Sequence, residues 1–162
     1  MLFSFIFIIA FSRKRVFLSF SEEDALSCFT LDLNDALHDA GITVFKHDHV
    51  LQREDHISTS LSGAIEESKI FIIVFSKNYA NSRRCLEELE RIVNCGKTIG
   101  EVVVPVFYHV GPTEVRHQTG EFGISFQRLL NKTSNEVELV LSWRAALRRA
   151  ASIAGFIILN SR

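Results

Sequence analysis

The chain has 162 residues, with 18 Lys and Arg against 19 Asp and Glu, a formal net charge of −1, and 47% hydrophobic with 23% charged residues. This describes one globular domain with enough apolar mass for a core, and it lacks the basic excess that binding nucleic-acid phosphates requires. Three cysteines (Cys28, Cys85 and Cys95) with no C-x-x-C spacing fit a reducing compartment and argue against a disulfide framework or a zinc site.

Residues 1–12 open the chain with an apolar run, MLFSFIFIIAF, ahead of Arg13, Lys14 and Arg15. A bilayer span needs about 20 apolar residues, so this run is too short to cross. It is similar to a signal h-region but lacks a basic n-region, and charges on its C-terminal side would keep the rest of the chain in the cytoplasm. Residues 1–12 are therefore set apart as an extension and a candidate membrane contact, with the domain proper at 13–162.

Residues 16–20 (VFLSF) read as a first strand. Ser21 with an acid three residues later has capping-box spacing, and it predicts a helix over 24–40 that Gly41 ends. Leu26, Phe29, Leu33, Ala36, Leu37 and Ala40 share its apolar face, while Asp32, Asp35, His38 and Asp39 lie opposite. Residues 43–45 form a short second strand, and 46–56 a polar loop. His47, His49 and His56 in that loop read as scattered loop histidines rather than a metal set. Ser58 is expected to cap a helix with Leu61, Ala64 and Ile65 inward.

Residues 69–75 contain an unbroken apolar run, which suits a strand buried on both faces of a parallel sheet. Asn78, Asn81 and Ser82 supply turn and cap chemistry before a helix whose stripe is Leu86, Leu89, Ile92 and Val93. At about 100° per residue, Glu87 points away from that stripe and reads as a solvated charge, whereas Glu88 flanks it at a semi-buried position. Residues 102–108 form a fourth strand in which Pro105 suggests the neighbourhood of a sheet edge or a bulge. An irregular loop is expected over 110–120. Helices marked by Phe122, Phe126, Leu129 and Leu130, then by residues 137–151, precede a last strand at 156–159.

Alternating strands and helices imply an open parallel α/β sheet, flavodoxin-like in order 2-1-3-4-5, with four to five strands flanked by helices. Its switch point lies between strands one and three, so the crevice would be lined by residues 19–24, 75–79 and the 46–57 loop. The chain has no G-x-G-x-x-G, no P-loop and no G-x-S-x-G, which removes the dehydrogenase, NTPase and α/β-hydrolase readings. A phosphoacceptor receiver would want Asp at the end of strand three, where Phe75 and Ser76 stand.

From about residue 15 to 159 the chain resembles the plant-type Toll/interleukin-1 receptor (TIR) domain of disease-resistance receptors. The matching stretches, in order, are VFLSF with Glu23-Asp24, LNDALHDAGITVF, Leu51 to Arg53, AIEESKIFIIVFSKNYANS, CLEEL, VVVPVFYHVGPTEVRHQTGEFG and Trp143-Arg144. The resemblance implies a flavodoxin-like fold, cytoplasmic immune signalling by TIR–TIR assembly, and cleavage of NAD+ or NADP+ at the nicotinamide–ribose bond. NAD+ would be a substrate, and neither cofactor nor metal is implied. It assigns catalysis to Glu88, in the C-L-x-E-L motif, and substrate contact to Phe20, Ser21, Glu22, Ser76, Tyr79, Arg84 and Cys85. A non-catalytic TIR–TIR adaptor, or a degenerate TIR-only fragment, is the alternative. The chain departs from the family at Ser21-Glu22, where Arg-Gly is usual, at Arg84, where an aromatic is usual, and at Glu54, where glycine is usual. An acid at Glu22 would repel a pyrophosphate. The chain also stops before one further amphipathic helix that the family carries.

Overall fold

The computed structural model describes residues 4–6, 8, 15–24, 27–46, 57–95, 101–133 and 135–159. Its five strands are β1 (Val16–Ser19), β2 (Val44–Phe45), β3 (Ile70–Phe75), β4 (Val102–Tyr108) and β5 (Phe156–Ile158). They form one sheet in the order β2-β1-β3-β4-β5, with every neighbouring pair parallel. That is the expected flavodoxin-like order. The helices are α1 (Cys28–Asp39), α2 (Ile57–Glu67), α3 (Arg83–Cys95), α4 (Pro112–His117), α5 (Gly120–Lys132) and α6 (Val137–Ala151). The loop over 47–56, including its three histidines and Glu54, lies outside the described residues, as do Leu26 and Cys95's side chain.

β3 is central, and all six of its residues are buried. Because side chains alternate across a strand, it feeds two cores. Phe71, Ile73 and Phe75 join Phe17 and Phe107 in a core with α2 to α6, in which Trp143, Leu86, Leu89 and Phe122 are fully buried. Ile70, Ile72 and Val74 join Val16, Leu18, Val104 and Val106 in a second core, covered by Leu33 and Leu37 of α1 and by Ile6. Phe5 packs beside Ile6, its ring 5.7 Å from that of Phe156. Part of the N-terminal run thus lies on the domain's own sheet. No helix among the described residues is long and apolar enough to cross a membrane.

Several boundaries differ from the sequence-based expectation, each for a local reason. Ser21 does not cap α1. Residues Glu22–Asp24 form a 3₁₀ turn, and Ser27 caps the helix by accepting from Thr30 N–H at 3.2 Å. Asp24 belongs to neither cap, because its carboxylate is turned to the end of β3. The far end of α1 follows expectation: Gly41 has φ +72°, which glycine adopts without strain, and Ile42 N–H reaches Leu37 O at 3.1 Å.

Ser58 lies inside α2, which begins at Ile57. The expected irregular loop over 110–120 contains α4. Its signal was Pro112 in the first turn, Glu114 after it, and Arg116 and His117 at the end, with only Val115 buried. One buried residue leaves no apolar periodicity to read. Pro105 sits in β4, next to the edge strand, as expected, and β5 pairs only from Val106 onward. Gly155 leads β5 in beside it, and a Cβ there would come within 2.0 Å of the Pro105 carbonyl oxygen.

Candidate functional site

The C-terminal ends of β1 and β3 meet at the switch point, and α3 starts above them. Ser82 precedes α3, and its Oγ accepts from Cys85 N–H at 3.3 Å. This orients the first turn so that Arg84 and Cys85, four and three residues before Glu88, flank it along one side of the helix. Arg84 Nη2 donates to the Phe20 carbonyl at 3.4 Å, and Cys85 Sγ–H to the same oxygen at 3.5 Å. Arg84 Nη1 pairs with the Glu22 carboxylate. The first turn of α3 is therefore stitched to the segment that follows β1.

Glu88 lies one turn further along the same face. It is only 1% exposed, deeper than the semi-buried position its spacing suggests. The difference arises because α3 is covered on two sides, by the α2–α6 core and by the end of β1. A helical stripe registers only one such side. Glu87 behaves as expected: half exposed, it pairs with Arg83 at 2.9 Å.

Tyr79, in the turn after β3, is fully buried beside Glu88. Its hydroxyl donates to the Cys85 carbonyl at 3.1 Å, so the 2.9 Å contact with Ser19 is a bond that Ser19 Oγ–H donates. Burial, followed by the neighbouring Cys85 and Glu88, pushes the phenol well above its usual range. Burial also pushes the Cys85 thiol up to about 11, with Glu88 adding to the shift. Cys85 is thus a protonated thiol near neutrality and no ready nucleophile. The fixed partners of Tyr79 make it a wall of the site rather than a free hydroxyl.

A second cluster beside Tyr79 is built on Asp24. Its carboxylate accepts from Ser76 Oγ–H, and from Asn78 Nδ2–H at 2.9 Å. Ser76 Oγ also accepts from Asn78 N–H at 3.2 Å, and Asp24 N–H donates to Ser21 O at 2.9 Å. The residues expected around the crevice, namely Phe20, Ser21, Glu22, Ser76, Tyr79, Arg84, Cys85 and Glu88, thus come together in one place. Their parts differ. Phe20 supplies its carbonyl while its ring enters the second core, Ser21 is buried with its carbonyl in the turn, and Ser76 is committed to Asp24. Asp24, Asn78 and Ser19 were expected only as lining. Asp24's capping-box spacing concealed its role, since a carboxylate reaching across 52 residues to Ser76 leaves no local trace.

The TIR domain family model matches residues 15–162. The chain belongs to the TIR family. It is 45% identical over 147 residues to disease resistance protein RPV1 of Vitis rotundifolia, covering 91% of this chain and 10% of that protein. It is 43% identical over 140 residues to TMV resistance protein N of Nicotiana glutinosa, covering 86% of this chain and 12% of that protein. The TIR domains of the activated Roq1 resistosome, which directly recognises the pathogen effector XopQ, superpose with a TM-score of 0.79 at 42% identity over 90% of this chain and 87% of theirs. This TIR chain spans about a tenth of the length of the curated relatives it matches.

Proposed function

We propose that this TIR domain acts in plant innate immunity by self-associating, and that it hydrolyses NAD+ to nicotinamide and ADP-ribose products, with Glu88 as the catalytic carboxylate. NADP+ is the related substrate. The reading is supported above all by one observation: Glu88 sits on α3 at the β1/β3 switch point, the position where open α/β sheets take their ligands, with Tyr79 and Cys85 around it. The chemistry needs little more. Nicotinamide leaves as a neutral base, so no general acid is required. Its departure leaves an oxocarbenium-like ribose, which a carboxylate in low-dielectric surroundings stabilises and whose hydroxyls it can hold. The protonated Cys85 and the bonded Tyr79 take no covalent part. They keep the wall rigid.

Self-association is assigned to α1, whose Asp32, Asp35, His38 and Asp39 are exposed, together with residues 46–57. The expected compartment is the cytoplasm, with residues 1–12 as a candidate membrane contact. TIR domains of other receptors are the corresponding hetero-partners.

One observation favours a second reading, a TIR–TIR adaptor without catalysis. Glu88 is 1% exposed, and the Arg84–Glu22 pair lies one helical turn outward on the same face. The deciding experiment incubates concentrated protein with NAD+ and follows nicotinamide release. Release that depends on protein concentration supports the hydrolase. No release, even from artificially clustered protein, leaves the adaptor.

A further inference from the structure

We infer that Arg84 is the pyrophosphate-receiving group of this crevice and that Glu22 holds its place in the ligand-free protein, so that an incoming dinucleotide exchanges with Glu22 and unlatches the mouth. The inference rests on the crevice being a dinucleotide site, and it adds the residues that admit the ligand.

The two members of the pair are unequal. The Arg84 side chain is 21% exposed and that of Glu22 is 65% exposed. Arg84 is anchored by its Nη2 on the Phe20 carbonyl, and its Nε is buried with no hydrogen-bond partner. Glu22 lies in a 3₁₀ turn, makes no other side-chain bond among the described residues, and faces water. A planar guanidinium anchored at one nitrogen, with an exchangeable acid on another, suits a phosphate oxyanion. An exposed ion pair is worth about 0–1 kcal/mol, so it yields readily to a doubly charged pyrophosphate. Glu22 alone would repel that group. Paired with Arg84, its charge is compensated until the ligand arrives, and it then swings into solvent.

The position of the pair also answers the burial of Glu88. Arg84 and Glu88 are four residues apart on one face of α3, and Arg84 joins that face to the segment after β1. Releasing Glu22 loosens the outer of these connections while Arg84 stays on Phe20. The latch therefore opens from its exposed end, and the ligand that opens it is the one whose ribose is directed at the carboxylate.

The test is calorimetric titration at low salt with ADP-ribose, which carries the pyrophosphate but no nicotinamide bond to cleave. Glu22→Gln should tighten binding about three- to fivefold, the scale of one exposed ion pair. Arg84→Gln should weaken it roughly 10- to 100-fold, the scale of a charge-assisted bond. Arg84→Lys, which keeps the charge and loses the fork, should fall between. Thermal melts establish that each variant is folded. In the Arg84→Gln background, Glu22→Gln should gain less than in the parent, because only the water-screened repulsion of an exposed acid is left to remove. An equal gain there overturns the exchange, because Glu22 would then act on the ligand directly. Unchanged affinity in both single variants, or no binding by any variant at millimolar ADP-ribose, also overturns it. Nicotinamide release, measured separately, decides the hydrolase. Pair-dependent binding without release keeps the exchange and rejects the hydrolase. Release with the same KM in Glu22→Gln and Arg84→Gln does the reverse.

Discussion

Tyr79 Oη lies 2.9 Å from Ser19 Oγ, and this bond ties the end of β1 to the turn after β3, across the switch point. The same hydroxyl reaches the Cys85 carbonyl in the first turn of α3 at 3.1 Å. One phenol thus ties the end of β1 to two neighbouring turns, its own and the first of α3, which lie some 60 residues further along the chain. Tyr79→Phe keeps the ring contacts with Phe75 but leaves the buried Ser19 hydroxyl without this acceptor. The expected cost is about 1–3 kcal/mol of stability, read as a lower urea midpoint with an unchanged slope. A midpoint equal to that of the parent would show that the bond carries no net stability.

Catalysis is tested by neighbouring carboxylates. Glu88→Gln keeps the volume of a side chain that is 1% exposed, so the fold survives where alanine would open a cavity. If the chain cleaves NAD+, the glutamine variant should lose about 10²–10³ in rate. Glu87→Ala removes an exposed pair with Arg83, worth about 0.3–0.5 kcal/mol, and should turn over normally. Equal losses from the two changes, measured as initial rates of nicotinamide release, would reject Glu88 as the catalytic group.

Alkaline pH should unfold the domain through the same wall. The folded chain raises Cys85 from its ordinary 9.0 to about 11, and raises Tyr79 as well, in both cases chiefly by burial. The native state therefore keeps protons that the unfolded chain has already released. Stability from this source is complete below about pH 9 and is lost as pH rises through 11. For Cys85 alone the loss is on the order of 3 kcal/mol. Urea midpoints between pH 7 and 11 should fall steeply in the parent and less steeply in Cys85→Ala. A flat profile to pH 11 would contradict the burial argument.

Asp32 and Asp35 project from α1 into solvent, away from the buried Leu33 and Leu37. Reversing both charges should leave the thermal melt nearly unchanged, because exposed positions seldom shift stability by more than about 0.5 kcal/mol. It should weaken self-association if α1 is the contact. Sedimentation velocity over a range of concentrations reads this directly, and an unaltered assembly would move the interface elsewhere.

The sheet was legible in the chain itself. An apolar run as dense as residues 70–75 suits a strand covered on both faces, and its alternation with amphipathic helices points to an open parallel α/β sheet. Gly41 and the α3 stripe follow from local rules of turn chemistry and helical spacing, whereas the grouping of Tyr79, Arg84, Cys85 and Glu88 was implied by the family resemblance. What local rules omit is who meets whom. Asp24 looked like part of a cap until the fold brought Ser76 and Asn78 to it. α4 went unread because one buried valine makes no period. Glu88 looked half exposed because a helical stripe counts one neighbour, whereas the end of β1 supplies a second. Glu22 and Arg84 read as two separate departures, one repelling an anion and one lacking an aromatic. Only folding, which closes the 62 residues between them, makes them a single ion pair. Spacing along a chain determines which face a side chain takes. Its partner, and hence its charge balance and burial, is decided by segments whose separation in sequence carries no information about their distance in space.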